Sequence, residues 1–83
     1  MKHNSIIRDV MQQHKANRIT QDAINALEDH EWDKAIVMAT RGLNYSGIIS
    51  QRLALNMVIQ IASFALAGHD VSSSLALVYD VQC

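Results

Sequence analysis

The sequence predicts an all-α protein of four or five helices, a helical bundle or short helical stack folded as one domain over residues 1–83. Three observations carry that expectation. There is no proline and there are only three glycines, so the chain can make few of the tight turns that an all-β sandwich or barrel needs. Hydrophobic residues occupy 49% of the 83 positions and charged residues 18%, a balance that supports a core and argues against disorder. Apolar residues also recur at helical spacing through most of the chain.

Apolar residues at 6, 7, 10 and 11 form the first stripe, and Asn4 or Ser5 can cap the free amides at its start. A first helix is expected from Ser5 to Lys15, with Ala16-Asn17-Arg18 as a polar break. Thr20 then reads as an N-cap, because Ile19 and Ile24 occupy the positions of a hydrophobic staple around it. The second helix is expected from Thr20 to Glu28, with Ala23, Ile24 and Leu27 inward and Asp22, Glu28 and Asp29 outward. Asp29-His30-Glu31-Trp32-Asp33 has the composition of a short connection, and Ala35, Ile36, Ala39 and Leu43 share one face beyond it. A third helix from Trp32 to Leu43 follows, with Asp33 and Arg41 matching the helix dipole at its two ends. Asn44-Tyr45-Ser46-Gly47 is the clearest turn, with Ser46 as a cap.

No breaker interrupts Ile48 to Ala67, so a fourth helix of about 30 Å is expected. Its polar residues Arg52, Asn56, Gln60 and Ser63 fall on one narrow stripe, which predicts a central helix with Leu53, Leu55, Val58, Ile61, Ala62 and Ala65 among the most buried residues. The run from Leu53 to Ala67 is uncharged, yet Arg52 and Gly68-His69-Asp70 bound it short of the roughly 20 residues a bilayer requires, so no membrane span is expected. Gly68 can end the helix in the left-handed conformation and Asp70 can cap the segment after it. Val71 to Val81 alternates as a strand does at Leu75, Leu77, Tyr79 and Val81, and steps as a helix does at Val71, Leu75, Val78 and Gln82. A lone strand has no partner in this chain, so a helix is expected.

Composition also bounds function. The net charge of −1 supplies no field for gripping a phosphate backbone, and nucleic acid is not an expected partner. The single cysteine, Cys83, provides no disulfide framework, and no secretory signal is readable at the start, so a cytoplasmic setting is expected. No catalytic, cofactor or metal motif is present. The acidic group Asp22, Glu28, Asp29, Glu31 and Asp33 around His30 lacks the glycine of a calcium loop and reads as a solvated junction. His69-Asp70 has no nearby nucleophile. Asp70-Val71-Ser72-Ser73-Ser74-Leu75 resembles the attachment site of acyl carrier proteins only in part, since Ser74 does not follow an aspartate and too little chain remains after it.

The segment from Ile19 to Asn44 resembles one tetratricopeptide repeat. Trp32, Ala35 and Gly42 have the spacing of that family's second helix, and Ala23 stands where its first helix carries a small residue. Asp22 and Ala39 depart from the pattern, and no proline ends the unit. A fainter copy places Val71 and Ser74 where Trp32 and Ala35 stand, offset by 39 residues. The resemblance implies helical stacking and, in a chain this short, a likeness to the small chaperones of bacterial type III secretion systems.

The function expected is therefore a non-enzymatic protein–protein interaction module, a chaperone or adaptor, that presents an apolar helical groove to a partner helix or to a second copy. The partner-binding residues expected are Trp32, Met57, Ile61, Phe64, Leu75 and Val78, with no cofactor, small-molecule substrate or membrane involved. The competing expectation is a small transcriptional regulator. Lys2, Arg8, Lys15 and Arg18 against Asp9 make the first helix basic, so it could meet DNA or antagonise another regulator.

Overall fold

A computed structural model of the chain describes residues 2–75, and the side chains from Val10 onward. The fold is all-α: helix α1 (Lys2–Glu28), helix α2 (Trp32–Tyr45) and helix α3 (Ile49–Leu66), followed by a helical turn at 72–75.

The first two expected helices are one. α1 runs through Ala16-Asn17-Arg18 without a break, and burial explains why. Ala16 and Thr20 are both buried, and the Thr20 hydroxyl donates to the Ala16 carbonyl at 2.6 Å, the back-bonding of a threonine inside a helix rather than the cap of a new one. Ile19 and Ile24 therefore form no staple. Asn17 stays on the solvent side, where its amide oxygen accepts from Gln13. With neither proline nor glycine nearby, polarity alone does not stop a helix.

α1 and α2 form an antiparallel hairpin with small residues along its seam. On α1 the buried residues Ala16, Thr20, Ala23 and Leu27 recur at steps of four, three and four. On α2 the buried residues Ala35, Ala39 and Gly42, with the C-cap Ser46, repeat the same steps. Counted outward from the connection, Leu27 is level with Ala35, Ala23 with Ala39, Thr20 with Gly42 and Ala16 with Ser46. The Ile19 methyl lies 3.6 Å from the point a Gly42 Cβ would occupy, which fixes that level. Small side chains let the two backbones approach closely, and α1, at about 40 Å, is roughly twice as long as α2. Its N-terminal part extends beyond the hairpin, and the molecule measures 50 × 23 × 16 Å.

Two helix ends carry the same closure. Past α1, Glu31 N–H donates to Ala26 and His30 N–H to Leu27; past α3, His69 N–H donates to Phe64 and Gly68 N–H to Ala65. Both are Schellman motifs, which place one residue in the left-handed region. Gly68 takes that position at φ +94°, as expected, whereas at the first motif His30 takes it at φ 59°. The Phe64 and His69 rings meet edge to face at 5.7 Å, the contact that customarily accompanies the motif.

α2 continues two residues past its expected end, and Ser46 is its C-cap through the backbone, its N–H donating to the Gly42 carbonyl at 2.9 Å, while its hydroxyl oxygen accepts from Ile48 N–H inside the turn. Arg52 closes α2 from outside, its guanidinium donating to the carbonyls of Leu43 and Ser46. α3 matches its expected span, but it is buried along one face only: Ala54, Leu55, Val58, Ile61 and Ala62 face the core. Leu53, expected among the most buried residues, is 56% exposed, and Ala65 is half-buried. Among the described residues α3 rests on the hairpin along one face, with the turn at 72–75 beside it, so the helix lies outside rather than at the centre. Val71 is buried against the core and the turn at 72–75 is helical, while 76–83 lie outside the described residues.

Candidate functional site

α3 shows two apolar faces. One, centred on Leu55 and Val58, is core. The other is set by a helical turn of 100° per residue, which places Ile49, Leu53, Met57, Gln60 and Phe64 within about 80° of arc on the side away from the hairpin. Ile49 is 84% exposed, Leu53 56% and Phe64 53%. The polar residues Arg52, Asn56, Gln60 and Ser63 are all exposed, as their stripe predicts, and this apolar stripe runs beside them. By length and composition α3 could also cross a membrane, with 28% of its residues buried in the protein.

Where α3 meets the turn at 72–75, Met57, Gln60, Ile61, Phe64 and Ser74 line a groove of about 130 Å³. Three of the expected partner-binding residues converge there. Met57 is half-buried, Phe64 is exposed, and Ile61, at 5% exposure, forms the floor rather than a free contact. Leu75 is half-buried and packs against the core beside the groove. Trp32 is elsewhere, at the hairpin end: it is half-buried, stacks on His30 with ring centroids 4.9 Å apart, and borders the core. The structure does not bring it to the groove. Val78 lies outside the described residues.

Asp70 holds the start of the last turn. The Ser72 backbone N–H donates to its carboxylate at 3.0 Å and the Ser72 hydroxyl at 2.8 Å, and these bonds hold the Asp70 carboxyl below the ordinary aspartate range. This is the expected cap, and the Ser72 hydroxyl is taken up in it.

Two larger clefts open at the hairpin end. One, about 340 Å³, is bounded by His30, Trp32, Asp33 and Leu66; the other, about 290 Å³, by Asp22, Asn25, Asp29, Glu31, Lys34 and Met38. Both are lined mainly by exposed, hydrated side chains. Among the described residues no group of three His, Cys, Asp or Glu side chains is arranged to hold a metal ion. At the far end, Gln13 and Gln51 bridge α1 and α3: Gln51 donates to Asn17 at 2.7 Å and accepts from Gln13 at 3.1 Å. That amide cluster fixes the register of α3 on α1 and leaves Ile49 pointing past it.

Sequence reasoning missed Ile49 and Leu66 as exposed apolar residues and placed Leu53 in the core. The signal was available, since residues flanking the Arg52–Asn56–Gln60–Ser63 stripe share its solvent side. No protein-family model, curated protein or solved structure matches the chain.

Proposed function

We propose that the chain is a non-enzymatic protein–protein interaction module, a small chaperone or adaptor, whose outer α3 face and adjoining groove take an apolar helical segment. The observation that carries this reading is the stripe Ile49–Leu53–Phe64, three large apolar side chains each more than half exposed on one helix face. Contiguous apolar area of this kind marks interaction surfaces in folded proteins. Met57 supports the reading, because an unbranched thioether adapts to differently shaped partners. Helix-in-groove docking also explains the spacing, as anchors at successive turns match another helix's stripe.

The test compares proteins retained from the native host by the wild-type chain, by Phe64→Asp and by Ser63→Asp, an exposed control on the polar stripe. A partner kept by wild type and control at high salt, and lost by Phe64→Asp, is the expected result. Equal retention by all three chains counts against the reading. Duplex DNA bound with steep salt sensitivity and unaffected by Phe64→Asp would replace it with the regulator.

A further inference from the structure

Resting on the interaction-module reading, and deepening it, we propose that the outer face of α3 is self-complementary and that its occupant is α3 of a second copy, packed antiparallel in a weak, reversible dimer.

The layout of the stripe points to this pairing. A two-fold axis between residues 56 and 57 sets Ile49 of one copy against Phe64 of the other, Leu53 against Gln60, and Asn56 against Met57. The two most distant anchors, about 22 Å apart along the helix, therefore meet each other, and each meeting occurs twice, as an isologous interface requires. The one polar residue within the stripe, Gln60, faces Leu53, so each copy sets one amide against an apolar side chain, which keeps the pairing weak.

Charge permits it. α3 carries a single charged side chain, Arg52. It projects about 100° away from the stripe, and its guanidinium is already engaged by the carbonyls of Leu43 and Ser46. Like charges brought together across a two-fold axis would oppose pairing, and α3 places none on the stripe. The same lack of rim charges gives a foreign partner no electrostatic handle. A net charge of −1 adds little repulsion between whole copies.

Area sets the strength. With Ile49, Leu53 and Phe64 exposed at 84%, 56% and 53%, the stripe offers roughly 250 Å² of apolar side chain per copy. Adding a polar rim in the usual proportion gives roughly 800 Å² over both copies, below the about 1,200–2,000 Å² of stable complexes and in the range of transient ones. The dimer is therefore expected to have a dissociation constant in the micromolar range or weaker.

Sedimentation equilibrium in a Cys83→Ser background, from micromolar to millimolar concentration, is expected to show a monomer–dimer equilibrium. Leu53→Asp and Phe64→Asp, both at exposed positions, are expected to weaken it by about tenfold or more, with circular dichroism of each variant checking that the helices are kept. Register is read by disulfide formation. Ile49→Cys and Phe64→Cys cross-link when mixed, but neither cross-links with itself, because the antiparallel pairing holds like positions about 22 Å apart. Self-linking by each variant alone would mean parallel pairing and overturn the proposal. A monomer at every concentration overturns it too. If that monomer still loses a host partner on Phe64→Asp, the interaction-module reading survives while the dimer does not. A monomer that instead binds anionic phospholipid vesicles through Leu53 and Phe64 would show that the face meets a membrane and would likewise overturn the dimer.

Discussion

Replacing Gly42 by leucine tests the packing at a point where all three helices meet. A Cβ at residue 42 would lie 2.9 Å from Leu55 Cδ1, 3.1 Å from Leu55 Cδ2 and 3.6 Å from Ile19 Cγ2. Leu55 is fully buried, so its methyl groups have no solvent to swing into. The close approach is thus chiefly between α2 and α3, with α1 at its edge, rather than within the α1–α2 hairpin alone. Overpacking a filled core costs about 1–3 kcal/mol, and the first carbon alone already overlaps, which puts Gly42→Leu at the upper end. Removing glycine from a helix interior returns roughly 0.8 kcal/mol. The net loss is about 2 kcal/mol, or a fall of about 8–16 °C in Tm for a domain of this size. It is measured by thermal unfolding followed at the helical circular-dichroism band. Gly42→Ala should come out near zero, its propensity gain offset by the contact with Leu55. Combining Gly42→Leu with Leu55→Ala should destabilise less than the two changes added together, because one supplies the volume the other needs. An unchanged Tm for Gly42→Leu, or strict additivity in the double variant, refutes the close approach.

The helix ends supply further perturbations. His30→Gly removes the side-chain penalty of the left-handed conformation, about 1 kcal/mol or more, but gives up the stack on Trp32; a net rise in stability of about 0.5 kcal/mol is expected in urea unfolding, and a loss would refute His30 as the left-handed closure. Ser72→Ala takes the hydroxyl from Asp70, so the carboxyl pKa followed by NMR should rise toward the ordinary aspartate value; an unmoved titration refutes the cap. Because the folded Asp70 pKa is lowered, its contribution is present above the unfolded value and is lost as pH falls through the folded one. The protection factors of the amides in the turn at 72–75, corrected for the intrinsic pH dependence of exchange, should therefore fall under acid, and Asp70→Asn should flatten that dependence.

The sequence pattern disclosed the helices where periodicity and breakers agreed. α3 and its closure at Gly68 were legible because an unbroken apolar run ends in a residue suited to the left-handed region. The continuity of α1 was not legible. Asn17 and Arg18 read as a break because polarity is visible locally, whereas the burial of Ala16 and Thr20 against α2 is a tertiary fact. The site was half legible. Met57, Ile61 and Phe64 do share a groove, but Trp32 lines a separate cleft with Leu66 at the hairpin end. Leu53 was placed in the core because an apolar helix in a small protein is expected at the centre. Nothing local says that only one side of α3 finds a hairpin to rest on.

Whether the outer face of α3 is covered when the protein acts can be read directly by fluorescence. In the Cys83→Ser background, an environment-sensitive fluorophore is attached through Phe64→Cys and, as a control, through Ser63→Cys, one residue along and exposed on the polar stripe. Each labelled chain is titrated with unlabelled protein and, separately, with the partner fraction retained from the host. A blue shift is expected at 64 in at least one titration and a much smaller one at 63, because one flank of the helix is covered and the other stays in water. Water-like emission at 64 in both titrations, or equal shifts at 63 and 64, would contradict a covered α3 face.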